Sequence, residues 1–204
     1  MKLKICGMKY HDNILKVAAL KPNYLGFIFY DKSPRFVTEP LPEISKNIKK
    51  VGVFVNSTIE TIITIINNYD LQAVQLHGQE TPEFCQKLQK KQIEIIKVFS
   101  IKDQFDFNQL SAFENLVDYF LFDTNGPNPG GNGYCFDWSI LNQYNSKTPY
   151  FLSGGIGVDD IKSIQNFKNS AAAQHCFAID VNSKFELKPA YKDDVKLKQL
   201  MQQL

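Results

Sequence analysis

The sequence predicts a single α/β domain in which eight short strands alternate with amphipathic helices. Eight apolar segments of strand length recur along the 204 residues, and most lack polar alternation, as expected for strands buried on both faces. These segments are residues 3–6, 24–30, 51–55, 73–76, 93–99, 119–123, 150–152 and 177–181. The alternation favours a closed (β/α)8 TIM barrel over residues 1–204, with an open doubly wound sheet as the alternative.

The helices between the strands follow from apolar spacing and from capping residues. In residues 12–20, Ile14 and Val17 fall on one helical face. A helix over residues 58–67 is predicted to begin with a capping box formed by Ser57 and Glu60. The next, over residues 81–90, opens with a Thr-Pro pair, which is preferred at the N-cap and first turn. Further helices are predicted at 138–144, 159–167 and 193–203, and less clear ones at 42–49 and 103–115.

The composition argues against several classes of function. The formal net charge is +2, so the sequence predicts neither a nucleic-acid nor a membrane partner. The four cysteines lack metal-binding spacing and are too scattered for a disulfide framework, which predicts no metal site and a cytoplasmic protein. The first strand leaves no room for a signal peptide, and no apolar run approaches the ~20 residues of a membrane helix. A monomer is expected, with a homodimer as the alternative.

Two of the predicted strands end in side chains that can transfer protons. Cys6 ends the first strand and Asp123 ends the sixth, and both ends belong to the barrel mouth where active sites lie. A thiol has a pKa of about 8.5, so a modest shift would supply a base near neutrality. A carboxyl group emerging from an apolar strand has a raised pKa and suits a general acid. The alternatives are a buried core cysteine and an Asx turn at Asp123.

Two loops and two further side chains suggest a site for a phosphorylated small molecule. Residues 153–156 follow the seventh strand and residues 180–183 follow the eighth, the places where such barrels commonly hold phosphate. Arg35, after the second strand, is either a surface charge or a clamp for a carboxylate. His77, at the end of the fourth strand, is either structural or part of the site. The glycine-rich loop over residues 125–133 is expected to cover the mouth.

These segments, in this order, resemble the phosphoribosylanthranilate isomerase family over nearly the whole chain. The most distinctive are residues 4–7, Lys-Ile-Cys-Gly, and residues 74–78, Val-Gln-Leu-His-Gly. The others are residues 26–29, 33–35, 51–56, 122–124, 130–133, 136–138, 153–156 and 180–183.

The resemblance implies a barrel without metal or organic cofactor that acts in tryptophan biosynthesis. It implies the Amadori rearrangement of N-(5-phosphoribosyl)anthranilate to 1-(o-carboxyphenylamino)-1-deoxyribulose 5-phosphate. Cys6 would be the general base that takes the proton from C2, and Asp123 the general acid that opens the ribose ring. Arg35 would bind the anthranilate carboxylate, and His77 and Asp180 would line the mouth without an assigned step. The phosphate would be held by Gly154, Gly155, Asn182 and Ser183.

The sequence departs from the family pattern in two places. Many members carry Gly-Lys-Thr-Phe-Asp-Trp where this chain has Tyr and Cys at positions 134 and 135, and Ala190 replaces the glycine of Pro-Gly-x-Lys-Asp. We expect the second change to alter the turn before the last helix. Two other functions stay open, namely the related phosphosugar isomerase of histidine biosynthesis and a non-catalytic barrel that binds a phosphorylated ligand.

Overall fold

A computed structural model describes residues 1–124 and 135–204, and it shows a closed barrel of eight parallel strands. The strands are β1 (Lys2–Ile5), β2 (Tyr24–Ile28), β3 (Lys49–Phe54), β4 (Ala73–Leu76), β5 (Glu94–Ile101), β6 (Tyr119–Thr124), β7 (Tyr150–Leu152) and β8 (Cys176–Val181). Each pairs with the next, and β8 returns to β1 with Lys4 opposite Asp180. The predicted closed barrel is confirmed, and the open sheet is wrong. The predicted loop over residues 125–133 lies outside the described residues.

The outer layer mixes α-helices with short 3₁₀ helices. The α-helices are α1 (His11–Ala18), α2 (Ile59–Tyr69), α3 (Pro82–Gln89), α4 (Ile161–Lys168) and α5 (Asp194–Met201). The segments predicted as helices at 103–115 and 138–144 form 3₁₀ helices over Phe107–Phe113 and Trp138–Gln143. In the part of the chain that the structure describes, every helix is too short or too polar to cross a membrane.

The connection from β2 to β3 contains no helix, so the helix predicted over residues 42–49 is wrong. The Oγ of Ser45 accepts a hydrogen bond from the N–H of Asn47, and its carbonyl accepts one from Ile48 at 2.9 Å. Serine competes in this way with helical hydrogen bonding. Lys49 is already the first residue of β3, so the segment is also too short for several helical turns.

The predicted caps are right for one helix and one residue out of place for the other. Thr81 caps α3 through Oγ1, which accepts from the N–H of Phe84 at 3.3 Å, and a proline occupies the first turn. The cap of α2 is Thr58, whose Oγ1 accepts from the N–H of Thr61 at 3.2 Å. The capping box predicted at Ser57 is therefore wrong, because the helix begins one residue later.

The barrel interior explains why the polar side chains gather at one end. Because side chains alternate along a strand, residues two apart share the inner face. The inner core consists of Tyr24, Val51, Ala73, Ile96, Val98, Leu121, Phe151 and Ala178. Continuing the alternation toward the strand ends leads from Leu121 to Asp123, and from Ala178 to Asp180. The carboxyl end of the barrel is thus the polar end, as its active-site mouth requires.

A short antiparallel hairpin after β8 was not predicted. It consists of β9 (Glu186–Lys188) and β10 (Tyr191–Lys192), and it lies between β8 and α5 in the chain. Ala190 lies in its turn with a φ of +67°, the left-handed region that favours glycine. Alanine thus adopts a glycine-like conformation at the position where the family resemblance expects a glycine.

Candidate active site

A cleft opens at the carboxyl end of the barrel and brings the predicted residues together. Eight of the nine predicted site residues line it, namely Cys6, His77, Asp123, Gly154, Gly155, Asp180, Asn182 and Ser183. The cleft has about 700 Å³ of empty space, including the part that is open to solvent. This is room for one small molecule of the size that such pockets bind.

Cys6 lies just beyond the end of β1, with its thiol directed into the cleft. Its N–H donates to the carbonyl of Val181 at 2.8 Å, which continues the β1–β8 pairing. Gly26 of β2 makes room for the sulfur, because a Cβ at that position would lie 2.7 Å from Sγ. Burial raises the pKa of the thiol, and the neighbouring Lys4 opposes that effect. The shift is therefore upward, not the change toward neutrality that the sequence suggested.

Asp123 ends the inner face of β6 against the apolar wall that the sequence predicted. Its Oδ1 accepts a hydrogen bond from the N–H of Thr124 at 2.9 Å. Burial, followed by repulsion from Asp180, raises the pKa of Asp123 to about 6. A carboxyl group with this pKa can hold a proton close to neutral pH, which is what a general acid needs.

His77 stands beside Asp123 but is not a charged partner for it. Its Nε2 lies 3.6 Å from Oδ2 of Asp123, and its Nδ1 lies 3.3 Å from Nε2 of Gln75. Burial and the nearby ammonium groups of Lys4 and Lys97 lower the pKa of His77 to about 4. The imidazole is therefore neutral at neutral pH, and the close approach to Asp123 is not an ion pair.

Sequence reasoning missed the ion pair at the floor of the cleft. Lys4 Nζ lies 2.9 Å from Oδ1 of Asp180, and both side chains are buried. The other oxygen of Asp180 accepts from the hydroxyl of Ser153 at 3.4 Å. The signal was present, since a lysine in the middle of an otherwise apolar strand is buried only when it has a partner.

Arg35 is the predicted residue that does not line the cleft. Its guanidinium makes two hydrogen bonds with the carboxylate of Glu186, Nε to Oε1 at 2.8 Å and an Nη to Oε2 at 2.7 Å. Lys192 Nζ contacts the same carboxylate at 2.7 Å and Oδ1 of Asn182 at 2.7 Å. The hairpin thus brings one carboxylate between the half-buried guanidinium of Arg35 and the buried ammonium of Lys192. The arginine stem passes close to Gly7, the residue after Cys6, because a Cβ on Gly7 would meet Arg35 Cδ at 2.6 Å.

The two predicted phosphate loops present backbone groups to the cleft. Gly154 and Gly155 have φ values of +96° and +67°, and a Cβ on Gly154 would lie 2.6 Å from the backbone nitrogen of Thr124. Within residues 1–124 and 135–204, no group accepts a hydrogen bond from the N–H of Gly154, Gly155 or Ser183. Such N–H groups, turned toward a cleft, are donors for an anion.

No group of three or more histidine, cysteine, aspartate or glutamate side chains in residues 1–124 and 135–204 is arranged to hold an ion.

Comparison with known proteins places the chain in a family. A family model described as N-(5'phosphoribosyl)anthranilate (PRA) isomerase matches residues 3–203. The N-(5'-phosphoribosyl)anthranilate isomerase of Parabacteroides distasonis is 47% identical over 210 residues, covering 100% of this chain and 93% of that protein. The isomerase of Phocaeicola vulgatus is 39% identical, covering 100% and 98%.

Solved structures agree with the sequence relatives. The phosphoribosyl anthranilate isomerase of Thermotoga maritima has a TM-score of 0.82 at 29% identity and covers 100% of this chain and 98% of its own. Another isomerase, in complex with reduced 1-(o-carboxyphenylamino)-1-deoxyribulose 5-phosphate, has a TM-score of 0.80 at 27% identity and covers 100% and 97%. The chain belongs to the N-(5'-phosphoribosyl)anthranilate isomerase family and is an isomerase built on a TIM barrel.

Proposed function

We propose that this protein converts N-(5'-phosphoribosyl)anthranilate into 1-(o-carboxyphenylamino)-1-deoxyribulose 5-phosphate in tryptophan biosynthesis. The observation that carries the proposal is the shared position of Cys6 and Asp123, which line one cleft together with Gly154 and Gly155, whose N–H groups have no acceptor among the described residues. A base, an acid and an anion cradle at one barrel mouth are the groups that an aldose-to-ketose rearrangement of a phosphorylated sugar requires.

Asp123 starts the reaction as general acid. Its carboxyl group gives a proton to the furanose ring oxygen while the bond from C1 to that oxygen breaks, and the anthranilate nitrogen supplies the electron pair that forms the iminium. The pKa of about 6 supports this role, because the carboxyl holds its proton more firmly than a solvated aspartate does.

Cys6 completes the rearrangement as general base. Its thiolate takes the proton from C2, and the electron pair of that C–H bond moves to form the enolamine. Tautomerisation of the enolamine then gives the amino ketone. The space made by Gly26 and the hydrogen bond from Cys6 N–H to Val181 support this assignment, because they fix the sulfur in the cleft.

The two ends of the substrate are assigned to the two sides of the mouth. The phosphate binds the N–H groups of Gly154, Gly155 and Ser183, beside Asn182. Arg35 binds the anthranilate carboxylate through the guanidinium edge that Glu186 leaves open, since that residue engages Nε and only one Nη. His77 lines the cavity as a neutral side chain, and Asp180 lines it as the ion-pair partner of Lys4.

We further propose a cytoplasmic monomer. All four cysteines are unpaired, which fits a reducing compartment. The exposed large apolar side chains of the described residues lie on separate segments, namely Met1, Tyr10, Leu15, Leu187 and Val195. Light scattering after size exclusion tests the monomer, and the alternative homodimer would elute at twice the mass of 23.3 kDa.

The decisive experiment follows the anthranilate-type fluorescence of freshly prepared phosphoribosylanthranilate after addition of the purified protein. We expect the signal to decay with the wild type and to persist with Cys6→Ala and with Asp123→Asn. The variant Cys85→Ala is the matched control, because this buried cysteine lies on α3, away from the cleft. It should keep near wild-type turnover.

Two outcomes would favour the other functions. Turnover of the histidine-pathway aminoaldose intermediate without turnover of phosphoribosylanthranilate would mean that the former is the substrate. Binding of a reduced product analogue without turnover of either compound would indicate a non-catalytic barrel. If Cys6→Ala or Asp123→Asn kept wild-type activity, the assigned acid and base would be wrong.

A further inference from the structure

The ammonium group of Lys4 lies at the floor of the cleft, directly below the proposed base. Lys4 and Cys6 are two residues apart on β1, so both side chains point into the barrel. Lys4 is fully buried and its Nζ lies 2.9 Å from Oδ1 of Asp180. The ammonium also interacts electrostatically with the thiol of Cys6. The cleft floor therefore contains a buried ion pair whose ammonium lies on the side of the strand that leads to the thiol.

Folding alone gives little reason for this arrangement. Removing a lysine and a carboxylate from water costs several kcal/mol for each ion, and replacing a buried ion pair by apolar residues is often neutral or stabilising. Apolar side chains fill the inner core of the barrel next to this ion pair, among them Ile96, Val98 and Leu121. A buried ion pair whose lysine stands two residues before the reactive sulfur, on the same side of the strand, points to a role in the chemistry of that sulfur.

We propose that Lys4 is a positioning residue whose ammonium, fixed by Asp180, stabilises the negative charge on Cys6 before the thiolate accepts the C2 proton. The inference rests on the proposed function, because it assigns Cys6 as the base. The thiolate is neutralised when it takes the proton, so the ammonium acts on the base and not on the substrate. Lys4 thereby makes ionisation possible in a site whose burial opposes it.

The other charged groups near the thiol are already committed elsewhere. Arg35 and Lys192 both face Cys6, but each contacts the carboxylate of Glu186. Among the described residues, the remaining titratable side chains that line the cleft are Tyr30, Asp123 in its proposed acid role, and His77, which is neutral at neutral pH. Lys4 is thus the buried cation two residues before the thiol, and its ion-pair partner, Asp180, belongs to the same cleft.

The test measures the ionisation of Cys6 directly in the free enzyme. The rate of alkylation by iodoacetamide is followed from pH 6 to pH 10 by mass spectrometry of the Cys6 peptide, in the wild type and in Lys4→Met, Lys4→Gln and Asp180→Asn. Lys97→Met is the matched control, because Lys97 is equally buried and paired with Glu80 at 2.9 Å outside the barrel interior. Thermal melting confirms that each variant is folded. If one of the two Lys4 variants does not fold, the other is used in its place.

We expect the apparent pKa of Cys6 to rise by at least about one pH unit in both Lys4 variants and to fall in Asp180→Asn, because an opposite charge at this range typically shifts a pKa by about 1–3. Lys97→Met should leave it unchanged. With phosphoribosylanthranilate, the Lys4 variants should lose at least about tenfold in kcat with KM changed less than about threefold. Shifts in opposite directions cannot come from loosened packing.

An unchanged thiol pKa in a folded Lys4 variant would overturn the proposal, as would shifts of the same direction in the Lys4 and Asp180 variants. The failure of the proposed function is distinguishable from this result. The alkylation profile needs no substrate, so an enzyme that does not turn over phosphoribosylanthranilate would refute the reaction while the thiol measurement still decides the role of Lys4.

Discussion

Nε2 of His77 lies 3.6 Å from Oδ2 of Asp123, and burial reverses the usual order of their basicities. The pKa of the imidazole falls to about 4 while that of the carboxyl rises to about 6. At pH 5 the proton is therefore on Asp123 and not on His77. This order selects the carboxyl group as the proton donor of the pair and leaves the histidine as a neutral neighbour.

The pH dependence of the rate follows from the pKa values of the acid and the base. The proposed mechanism needs a protonated Asp123 and a deprotonated Cys6, whereas the thiol has the higher pKa of the two. The reactive form carries one proton on the pair, and between the two pKa values the pair always carries one proton. The fraction of reactive enzyme is therefore constant there, and kcat/KM should be flat from about pH 6 into the alkaline range. Below about pH 6 a second proton accumulates, and kcat/KM should fall about tenfold per pH unit. A stopped-assay pH series measures this, and a rate that rises on acidification below pH 6 would contradict the assignment.

Asp123→Asn is expected to remove activity and to change the pH dependence of stability. The folded pKa of about 6 exceeds the ordinary value of 3.8, so the carboxyl favours the folded state below pH 4 and that contribution is lost as pH rises through 6. The full loss is about 3 kcal/mol, of which about 2 kcal/mol falls between pH 4 and pH 8.

The asparagine variant lacks this titration. Its free energy of unfolding relative to the wild type should therefore increase by about 2 kcal/mol from pH 4 to pH 8, measured by urea unfolding at both values. The difference between the two proteins cancels groups that titrate equally in both. A constant difference across this range would mean that Asp123 titrates as an ordinary carboxyl group.

Gly154→Ala should weaken phosphate binding while Gly157→Ala should not. Gly154 has a φ of +96°, and its added Cβ would press on the backbone of Thr124 at 2.6 Å. At Gly157 the nearest atom to the added Cβ would be Lys184 Cβ at 3.3 Å, which is a side-chain atom and not backbone. We expect KM to rise at least about tenfold for the first variant and less than about threefold for the second, in line with the loss of one or two charge-assisted hydrogen bonds. Inhibition by inorganic phosphate, titrated for both variants, separates a phosphate effect from a general loss of activity.

Arg35→Met should raise KM and leave kcat nearly unchanged. In the proposed complex Arg35 contacts the anthranilate carboxylate, which is remote from C1 and C2, so it contributes similarly to the ground state and the transition state. Removing a two-point charged contact should raise KM by about tenfold or more. Inhibition by inorganic phosphate should stay the same, since phosphate has no carboxylate. If KM is unchanged, Arg35 serves only to hold the hairpin through Glu186.

The sequence predicted the barrel and most of the cleft, and its failures have a common physical origin. Buried strands can be recognised in the sequence by their apolar composition. In a barrel of parallel strands, the residues at the carboxyl ends of the strands lie together at one mouth. The contact between Lys4 and Asp180 was missed because it joins residues 176 positions apart, and only barrel closure brings β1 beside β8. The commitment of Arg35 to Glu186 was missed for the same reason, since it depends on a hairpin too short to show a strand pattern.

Ala190 tests whether the departure from the family's glycine disturbs the turn. Its φ of +67° is unfavourable for alanine by about 1–2 kcal/mol, yet its fully buried methyl group contributes about 0.8 kcal/mol and alanine lowers the entropy of the unfolded chain by about 0.4–1 kcal/mol. These contributions nearly cancel, so Ala190→Gly should change the free energy of unfolding by less than about 1 kcal/mol.

Ala190→Val should behave differently at the same position. A β-branched side chain is strongly disfavoured at positive φ, and the position has no exposed surface to accept two more methyl groups. We expect a loss of more than about 2 kcal/mol in urea unfolding. Because the N–H of Ala190 donates to Oε1 of Glu186 at 3.1 Å, the distorted turn should also release Arg35 and raise KM. A large gain in stability from Ala190→Gly would instead mean that the alanine strains this turn and that the buried methyl group does not compensate for it.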